Sequence, residues 1–150
     1  MDATGDDAVT GDVALNLLEE ASAVVITQAR IAIAQAKKKI TLYIDSSMDK
    51  IHVQTVPEVL HDVVGALQFL SLRRAANILA ACKAFIQQRI VYGHGNEPPA
   101  TLDLETLADA LSSVDYYLEG LEVQKPIGVG VLDVAEESTA ELGFAVMKVA

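Results

Sequence analysis

The sequence predicts an all-α protein, built as an antiparallel bundle of about five helices. Apolar residues recur at steps of three and four along most of the chain, which is the period of a helix with one buried face. Glycine and proline mark the ends of these segments, and no segment alternates long enough for a strand. The length of 150 residues suits one domain. Short connections favour antiparallel neighbours.

The first predicted helix runs from about Asp12 to Ile44, after an acidic, polar stretch at 1–11 that we expect to be a flexible tail. Small residues in its middle would let another helix approach closely. The residues expected on its buried face are Leu18, Ala21, Val25, Ala29, Ala32, Ala36, Ile40 and Tyr43.

The second helix is predicted from Val56 to about Leu70. Thr55 is a suitable N-cap and Glu58 lies at the third helical position, so the pair has the pattern of a capping box. Pro57 is tolerated because the first-turn amides have no partner inside the helix. Ser71 should break or cap this helix before the next one begins.

The third helix is expected from Leu72 to about Val91, and Gly93 should stop it. Residues 94–100 form the clearest loop. The inward residues of this helix should be Ala75, Leu79, Cys82, Ile86 and Ile90. A fourth helix begins at Thr101 or Asp103. Its buried stripe is the most regular in the chain and comprises Leu104, Leu107, Leu111, Val114, Leu118 and Leu121.

The fifth helix is predicted at about Val131 to Leu142, after a loop at 126–130. It ends at Gly143, where a glycine commonly follows a helix. These boundaries give a bundle at residues 12–143. Residues 144–150 are expected to be a tail or the start of a link to a further module.

Composition and charge exclude several classes of function. A formal charge of −10 disfavours nucleic-acid binding, which needs a basic face. The scattered histidines and the single cysteine give no metal-ligand spacing and no disulfide. No signal peptide and no run long enough to cross a membrane occurs, so a cytoplasmic location without membrane contact is expected. We expect no cofactor and no enzymatic activity of this domain by itself, since it has neither a phosphate loop nor an arguable catalytic triad.

His61 is the candidate chemical group. On a helical projection of the second helix it lies far from the buried arc, with Gly65 and Gln68 close beside it. It is therefore expected to be exposed. One interpretation is an ordinary surface histidine, with Gly65 making room for a neighbouring helix. The other is a histidine held in solvent for use.

The stretch HDVVGA, from His61 to Ala66, resembles the motif of histidine phosphotransfer (Hpt) domains. That motif runs histidine, any residue, leucine, lysine, glycine, then alanine or serine. Histidine and glycine are kept here, whereas Val64 stands where the family has lysine and Ser71 where it has a later glycine. The resemblance implies that His61 is a phosphoryl acceptor and that its neutral imidazole is the nucleophile. Valine cannot neutralise phosphoryl charge, and Asp62 is no substitute.

A closer resemblance covers most of the chain. HDVVGALQFLSLRRAANILAAC, LETLADALSSVDYYLEGL and VLDVAEESTAELGF are similar to the phosphotransfer-like modules of two related groups. These are the chemotaxis-type hybrid histidine kinases that control type IV pili (ChpA/PilL type) and the FimL-type pilus scaffold proteins. The resemblance implies a four-helix Hpt-like core, and it implies that modules of this kind serve as docking surfaces. Tyr116 and Tyr117 lie in its most specific segment, where a tyrosine at the edge of the core would suit an interface.

Three functions follow from these residues. The favoured one is a degenerate Hpt-like module that docks a response-regulator receiver domain or a pilus scaffold protein, because Val64 replaces the lysine and no cationic residue is expected beside His61. Its predicted partner-binding residues are Asp62, Gly65, Gln68, Tyr116 and Tyr117. The second is a competent phosphotransfer domain, in which Gln68 could hydrogen-bond the imidazole or its phosphoryl group. The third is a structural bundle that packs against sibling modules of the same chain.

Overall fold

The computed structural model describes residues 3–93, 97–125 and 127–146, with side chains from residue 19 onward. Within these ranges the chain is helical and contains no strand, which confirms the all-α prediction. The helices are α1 (Ala3–Asp45), α2 (Val56–Phe69), α3 (Arg73–Ile86), α4 (Thr101–Glu122) and α5 (Gly130–Glu141). A 3₁₀ turn at Lys50–His52 precedes α2, and a π-helical turn at Gln87–Val91 extends α3.

The first four helices form a ring. α1 packs against α2 and α4, and α3 packs against the same two helices. α2 and α4 therefore lie across the diagonal of a four-helix bundle. α5 packs against α4 and α3 on the outside of this ring. No described helix is long and apolar enough to span a bilayer.

The buried face of α1 differs from the predicted one. Ala21 is exposed, whereas Ile26 and Ile33, which the predicted stripe omitted, are buried. The stripe that is buried runs Ile26, Ala29, Ile33, Ala36, Ile40 and Tyr43, in alternating steps of three and four. Placing the two isoleucines inward removes more apolar surface from water than placing alanines there. The predicted buried residues of α3 and its π-helical turn are confirmed, as are those of α4 up to Leu118.

The end of α2 is a Schellman motif at Ser71, so the predicted break is confirmed. Ser71 has a φ of +63°, in the left-handed region. Its N–H donates to the carbonyl of Gln68 (3.0 Å), and the N–H of Leu72 donates to the carbonyl of Leu67 (2.9 Å). α5 ends in the same way at Gly143, as predicted, with a φ of +91°. These bonds satisfy carbonyl groups that the helix leaves without a partner.

The start of α1 departs from the prediction, whereas α2 starts at Val56 as predicted but without the expected cap. α1 begins at Ala3 rather than near Asp12, and no proline interrupts the chain before Pro57. The capping box at Thr55 is wrong, since Thr55 has helical backbone angles and makes no side-chain cap. Its hydroxyl instead accepts a hydrogen bond from Lys39 Nζ at 2.9 Å, which ties the end of α1 to the start of α2.

Two arginines link neighbouring helices through carboxylates. Arg30 of α1 bonds Asp115 and Glu122 of α4, each at 3.0 Å. Arg74 of α3 bonds the α5 carboxylates Asp133 and Glu136, each at 2.7 Å. These bonds raise the pKa of both guanidinium groups and keep them charged. They add orientation to contacts whose main stabilisation is apolar burial.

Candidate functional site

The outer surface of α2 carries the predicted site. His61, Asp62, Gly65 and Gln68 are all exposed, and we name these four residues the α2 face. On the opposite side of the helix, Val56, Leu60, Val63, Val64 and Leu67 are buried. The exposure predicted for His61 is confirmed.

Gly65 opens onto empty space. A Cβ atom built at this position meets no heavy atom within 4 Å. The interpretation that Gly65 makes room for a neighbouring helix of this bundle is therefore wrong. A mid-helix glycine costs about 1 kcal/mol relative to alanine, and among the described residues no contact compensates for it.

A cation does lie beside His61, contrary to the prediction. Nζ of Lys83, on α3, is 3.3 Å from Nδ1 of His61. The Hpt motif does not indicate Lys83, because the motif covers only residues close to His61 in sequence. His61 lies ten residues before Ser71 and Lys83 twelve residues after it. The antiparallel pairing of α2 and α3 across that break brings the two side chains together. Their similar distances from Ser71 in the sequence could have predicted this contact.

The contact with Lys83 determines which imidazole nitrogen carries the proton. An ammonium group only donates hydrogen bonds, so Nδ1 must accept. In a neutral imidazole the proton then lies on Nε2. Nδ1 uses its lone pair for Lys83 and Nε2 holds a proton, so neither nitrogen is a free nucleophile in this arrangement. Phosphorylation of His61 would require Lys83 to release Nδ1.

The position that the Hpt motif assigns to lysine is part of the core. Val64 is 8% exposed and belongs to the buried apolar cluster. A lysine there would need to extend its charged end out to solvent. Val64 therefore contributes packing rather than charge, and the positive charge near His61 comes from another helix.

Gln68 and Asp62 lie on either side of His61. Gln68 is exposed, and the hydrogen bond that the structure gives the His61 imidazole is to Lys83. Asp62 is directed toward α1, where it lines an apolar groove. The two edges of the α2 face thus have different neighbours, with Lys83 on the α3 side and Asp62 on the α1 side.

The two predicted tyrosines lie on another part of the molecule. Tyr116 is 54% exposed, and Tyr117 is half-buried against the core. Tyr117 lines a depression of about 330 Å³ with Arg74 and Leu132, at the junction of α3, α4 and α5. Because α4 lies diagonally opposite α2, the tyrosines and the α2 face do not form one surface.

The remaining polar candidates do not assemble into a chemical site. In the described ranges no three histidine, cysteine, aspartate or glutamate side chains are placed to hold a metal ion. Cys82 is fully buried, and burial raises the pKa of its thiol to about 12. His94, in the predicted loop, lies outside the described residues.

Comparison with known proteins gives one family. A profile described as the FimL C-terminal domain matches residues 16–139. The scaffold protein FimL of Pseudomonas aeruginosa is 44% identical over 134 residues, which cover 89% of this chain and 24% of that protein. The chain therefore spans about a quarter of the length of the curated relative. No solved structure matches.

Proposed function

This chain belongs to the FimL C-terminal domain family, and we propose that it is a non-catalytic scaffold module in the signalling that controls type IV pili. The name of the curated relative supports the scaffold role. The resemblance to the phosphotransfer-like modules of pilus-controlling kinases and scaffold proteins supports the pilus setting and a cytoplasmic location. Both are proposals for this chain, since it corresponds to only part of the relative.

The α2 face is the proposed docking surface. Its partner is a response-regulator receiver domain or another pilus scaffold protein. The observation that carries the proposal is the His61–Lys83 contact of 3.3 Å, because it leaves no free nucleophilic nitrogen while keeping a positive charge at the surface. Receiver domains carry acidic side chains at their phosphorylation sites, which Lys83 would attract. The open space over Gly65 would let a partner approach the helix backbone closely.

Titration of the domain with purified receiver domains of the pilus chemosensory pathway tests this surface. We expect wild type and His61→Gln to bind with similar affinity and Gly65→Trp to bind at least tenfold more weakly. Gly65→Ala is the matched control, because it adds only a methyl group. Unchanged affinity of Gly65→Trp for every receiver that binds wild type would overturn the α2 face as the docking site.

A second candidate function is phosphotransfer on His61, and the position of Lys83 favours it. If Lys83 moved from Nδ1 to a phosphoryl oxygen, it would neutralise charge as the missing motif lysine does. The ring proton would then lie on the released Nδ1, and the lone pair of Nε2 would attack the phosphorus of a receiver aspartyl phosphate. A nitrogen–phosphorus bond would form while the oxygen–phosphorus bond breaks, and the receiver carboxylate would leave.

Intact-mass measurement separates the two candidates. The domain is mixed at neutral pH with a phosphorylated receiver that binds it, and His61→Gln is treated in parallel. Gain of one phosphoryl group by wild type alone would establish a relay. An unchanged mass with binding retained is the result that the scaffold proposal requires. A folded domain that neither binds any receiver nor gains a phosphoryl group would favour the third function, a purely structural bundle.

A further inference from the structure

A second surface on α2, separate from the His61–Lys83 pair, is an apolar groove shared with α1. It encloses about 350 Å³ and is open to solvent along its length. Val24 at its edge is 59% exposed, although it is a large apolar side chain. We name this surface the α1/α2 groove. Its lining residues are Val24, Val25, Gln28, Ala29, Ala32, Val59, Asp62, Val63 and Ala66.

The apolar surface continues beyond the groove at Phe69. Phe69 is 82% exposed, the most of any large apolar side chain described. It lies three residues after Ala66 on α2, and therefore on the side of the helix that borders the groove. The bond between Lys39 and Thr55 shows that the end of α1 meets the start of α2. The two helices thus run antiparallel, and the end of α2 with Phe69 lies nearest the Val24 end of the groove.

Negative charge borders this end of the groove. Glu20, one turn before Val24 on α1, is exposed, and Asp62 lines the groove itself. The first basic residue of the chain is Arg30, which is bonded to Asp115 and Glu122 on the α4 side. The lysine cluster at 37–39 lies toward the opposite end of α1. The groove is therefore apolar along its floor and acidic at one end.

We propose that the α1/α2 groove binds an amphipathic helix of a partner protein whose apolar ridge is flanked by lysine or arginine. The small residues Ala29, Ala32 and Ala66 let a third helix approach closely, and its ridge would occupy the groove between α1 and α2. Basic side chains beside the ridge would meet Glu20 and Asp62. The inference goes beyond the proposed docking of a receiver, since it concerns the α1 side of α2, where Asp62 is shared with the α2 face.

Charge argues against the two other occupants of an apolar groove. A second copy of this chain would bring the same acidic residues together, and the net charge of −10 adds to that repulsion. An anionic membrane surface would be repelled for the same reason. A basic helix gains from both apolar burial and attraction.

The probe is an 18-residue designed helical peptide with leucine and alanine on one face and lysine elsewhere, labelled for fluorescence anisotropy. Its matched control has glutamate in place of lysine. We expect the basic peptide to bind wild type at least tenfold more tightly than the acidic one, and its binding to weaken as salt rises. Equal binding of both peptides would overturn the proposed charge recognition.

Single substitutions locate the binding. Val24→Ser and Phe69→Ser should each weaken binding of the basic peptide about fivefold or more. Val134→Ser on α5 should not, and it is a matched control because Val134 is 53% exposed. Asp62→Lys should also weaken binding. Equal affinities of the Val24, Phe69 and Val134 variants would overturn the groove as the site.

Two further measurements keep the proposal distinct from its alternatives. Lys83→Met, on the α3 side of the α2 face, should weaken receiver docking and leave peptide binding unchanged. Peptide binding that survives a failure of receiver docking would therefore support the groove alone. Sedimentation should show wild type as a monomer, and a dimer dissociated by Phe69→Ser would assign the groove to a second copy instead.

Discussion

The side chain of Lys83 reaches across from α3 to Nδ1 of His61 on α2, with 3.3 Å between the two nitrogens. The histidine that resembles the phosphoryl acceptor of the Hpt motif therefore has a hydrogen-bond donor beside its Nδ1. This contact affects the reactivity of His61, because a neutral imidazole that accepts a hydrogen bond at Nδ1 carries its proton on Nε2.

Removing Lys83 should change the imidazole tautomer. In wild type at pH 8 we expect the Nε2–H form to predominate, and Lys83→Met should give a mixture of both neutral forms because the donor at Nδ1 is lost. Nitrogen-15 chemical shifts of the His61 ring report the tautomer directly. Lys38→Met, an exposed lysine on α1, serves as control. A predominant Nδ1–H form in wild type would contradict the contact.

Alanine at two glycines should have opposite effects on stability. Gly65→Ala should raise the free energy of unfolding by about 1 kcal/mol, because its methyl group meets nothing within 4 Å and alanine is the better helix former. Gly120→Ala should lower it by about 1–3 kcal/mol, since a Cβ there would lie 3.0 Å from the carbonyl oxygen of Lys125 and 3.1 Å from the nitrogen of Ile127. Urea unfolding measures both, and a destabilised Gly65→Ala would show a contact that the structure lacks.

Ser71→Gly should stabilise the domain by about 0.5–1 kcal/mol. The φ of +63° is strained for an L-residue and costs about 1–2 kcal/mol, part of which the greater freedom of glycine in the unfolded chain offsets. Ser71→Val should destabilise it, because a β-branched side chain tolerates this φ worst. Thermal unfolding of the three proteins gives the order Gly, Ser, Val from most to least stable. Any order with valine above serine would be incompatible with the left-handed conformation.

The side chains of Arg74 and Glu136 should show a measurable coupling energy in the free energy of unfolding. Arg74→Ala should cost about 1 kcal/mol, and a double-mutant cycle with Glu136→Ala should give a coupling of about 0.5–1.5 kcal/mol, because the contact with Glu136 is paired (2.7 and 3.2 Å) and only partly exposed. The coupling should shrink at high salt. If the stability losses of the two single variants add up to that of the double variant, the ion pair makes no net contribution to stability.

Alkaline pH should destabilise the fold through Cys82. Burial raises the pKa of this thiol to about 12, against about 8.5 in an unfolded chain. The folded state therefore keeps a proton that the unfolded state releases, so stability falls as pH rises above about 8.5. Under reducing conditions the loss between pH 7.5 and 9.5 should be about 1.4 kcal/mol larger for wild type than for Cys82→Ala. Parallel pH profiles of the two proteins would refute this linkage.

The helical pattern predicted the fold well because periodicity reports burial directly. The stripes of α3 and α4, the break at Ser71 and the end of α5 at Gly143 needed only local information. The buried face of α1 was harder to predict. Alanine and isoleucine both count as apolar, so their pattern along this helix fits more than one buried face. The start of α2 at Val56 was predicted correctly, but its capping box was not, because the Thr55 hydroxyl accepts a hydrogen bond from Lys39 of another helix.

The site was less predictable, because its decisive residues come from helices distant in sequence. The exposure of His61 and Gly65 followed from a projection of α2 alone. Lys83 joins the α2 face, and Val24 and Gln28 join the α1/α2 groove, only once the neighbours of α2 are known. Tyr116 and Tyr117 lie in a segment as distinctive as the one around His61, but distinctive sequence carries no information on which helices lie across the diagonal.

The diagonal placement of α2 and α4 bears on how many proteins one such module holds at a time. With neighbouring axes about 8–10 Å apart, the axes of diagonal helices are about 11–14 Å apart. A protein bound to α2 and another bound over Tyr116 on α4 would face opposite directions without a clash. Their attachment to one module would raise the effective concentration of each protein near the other.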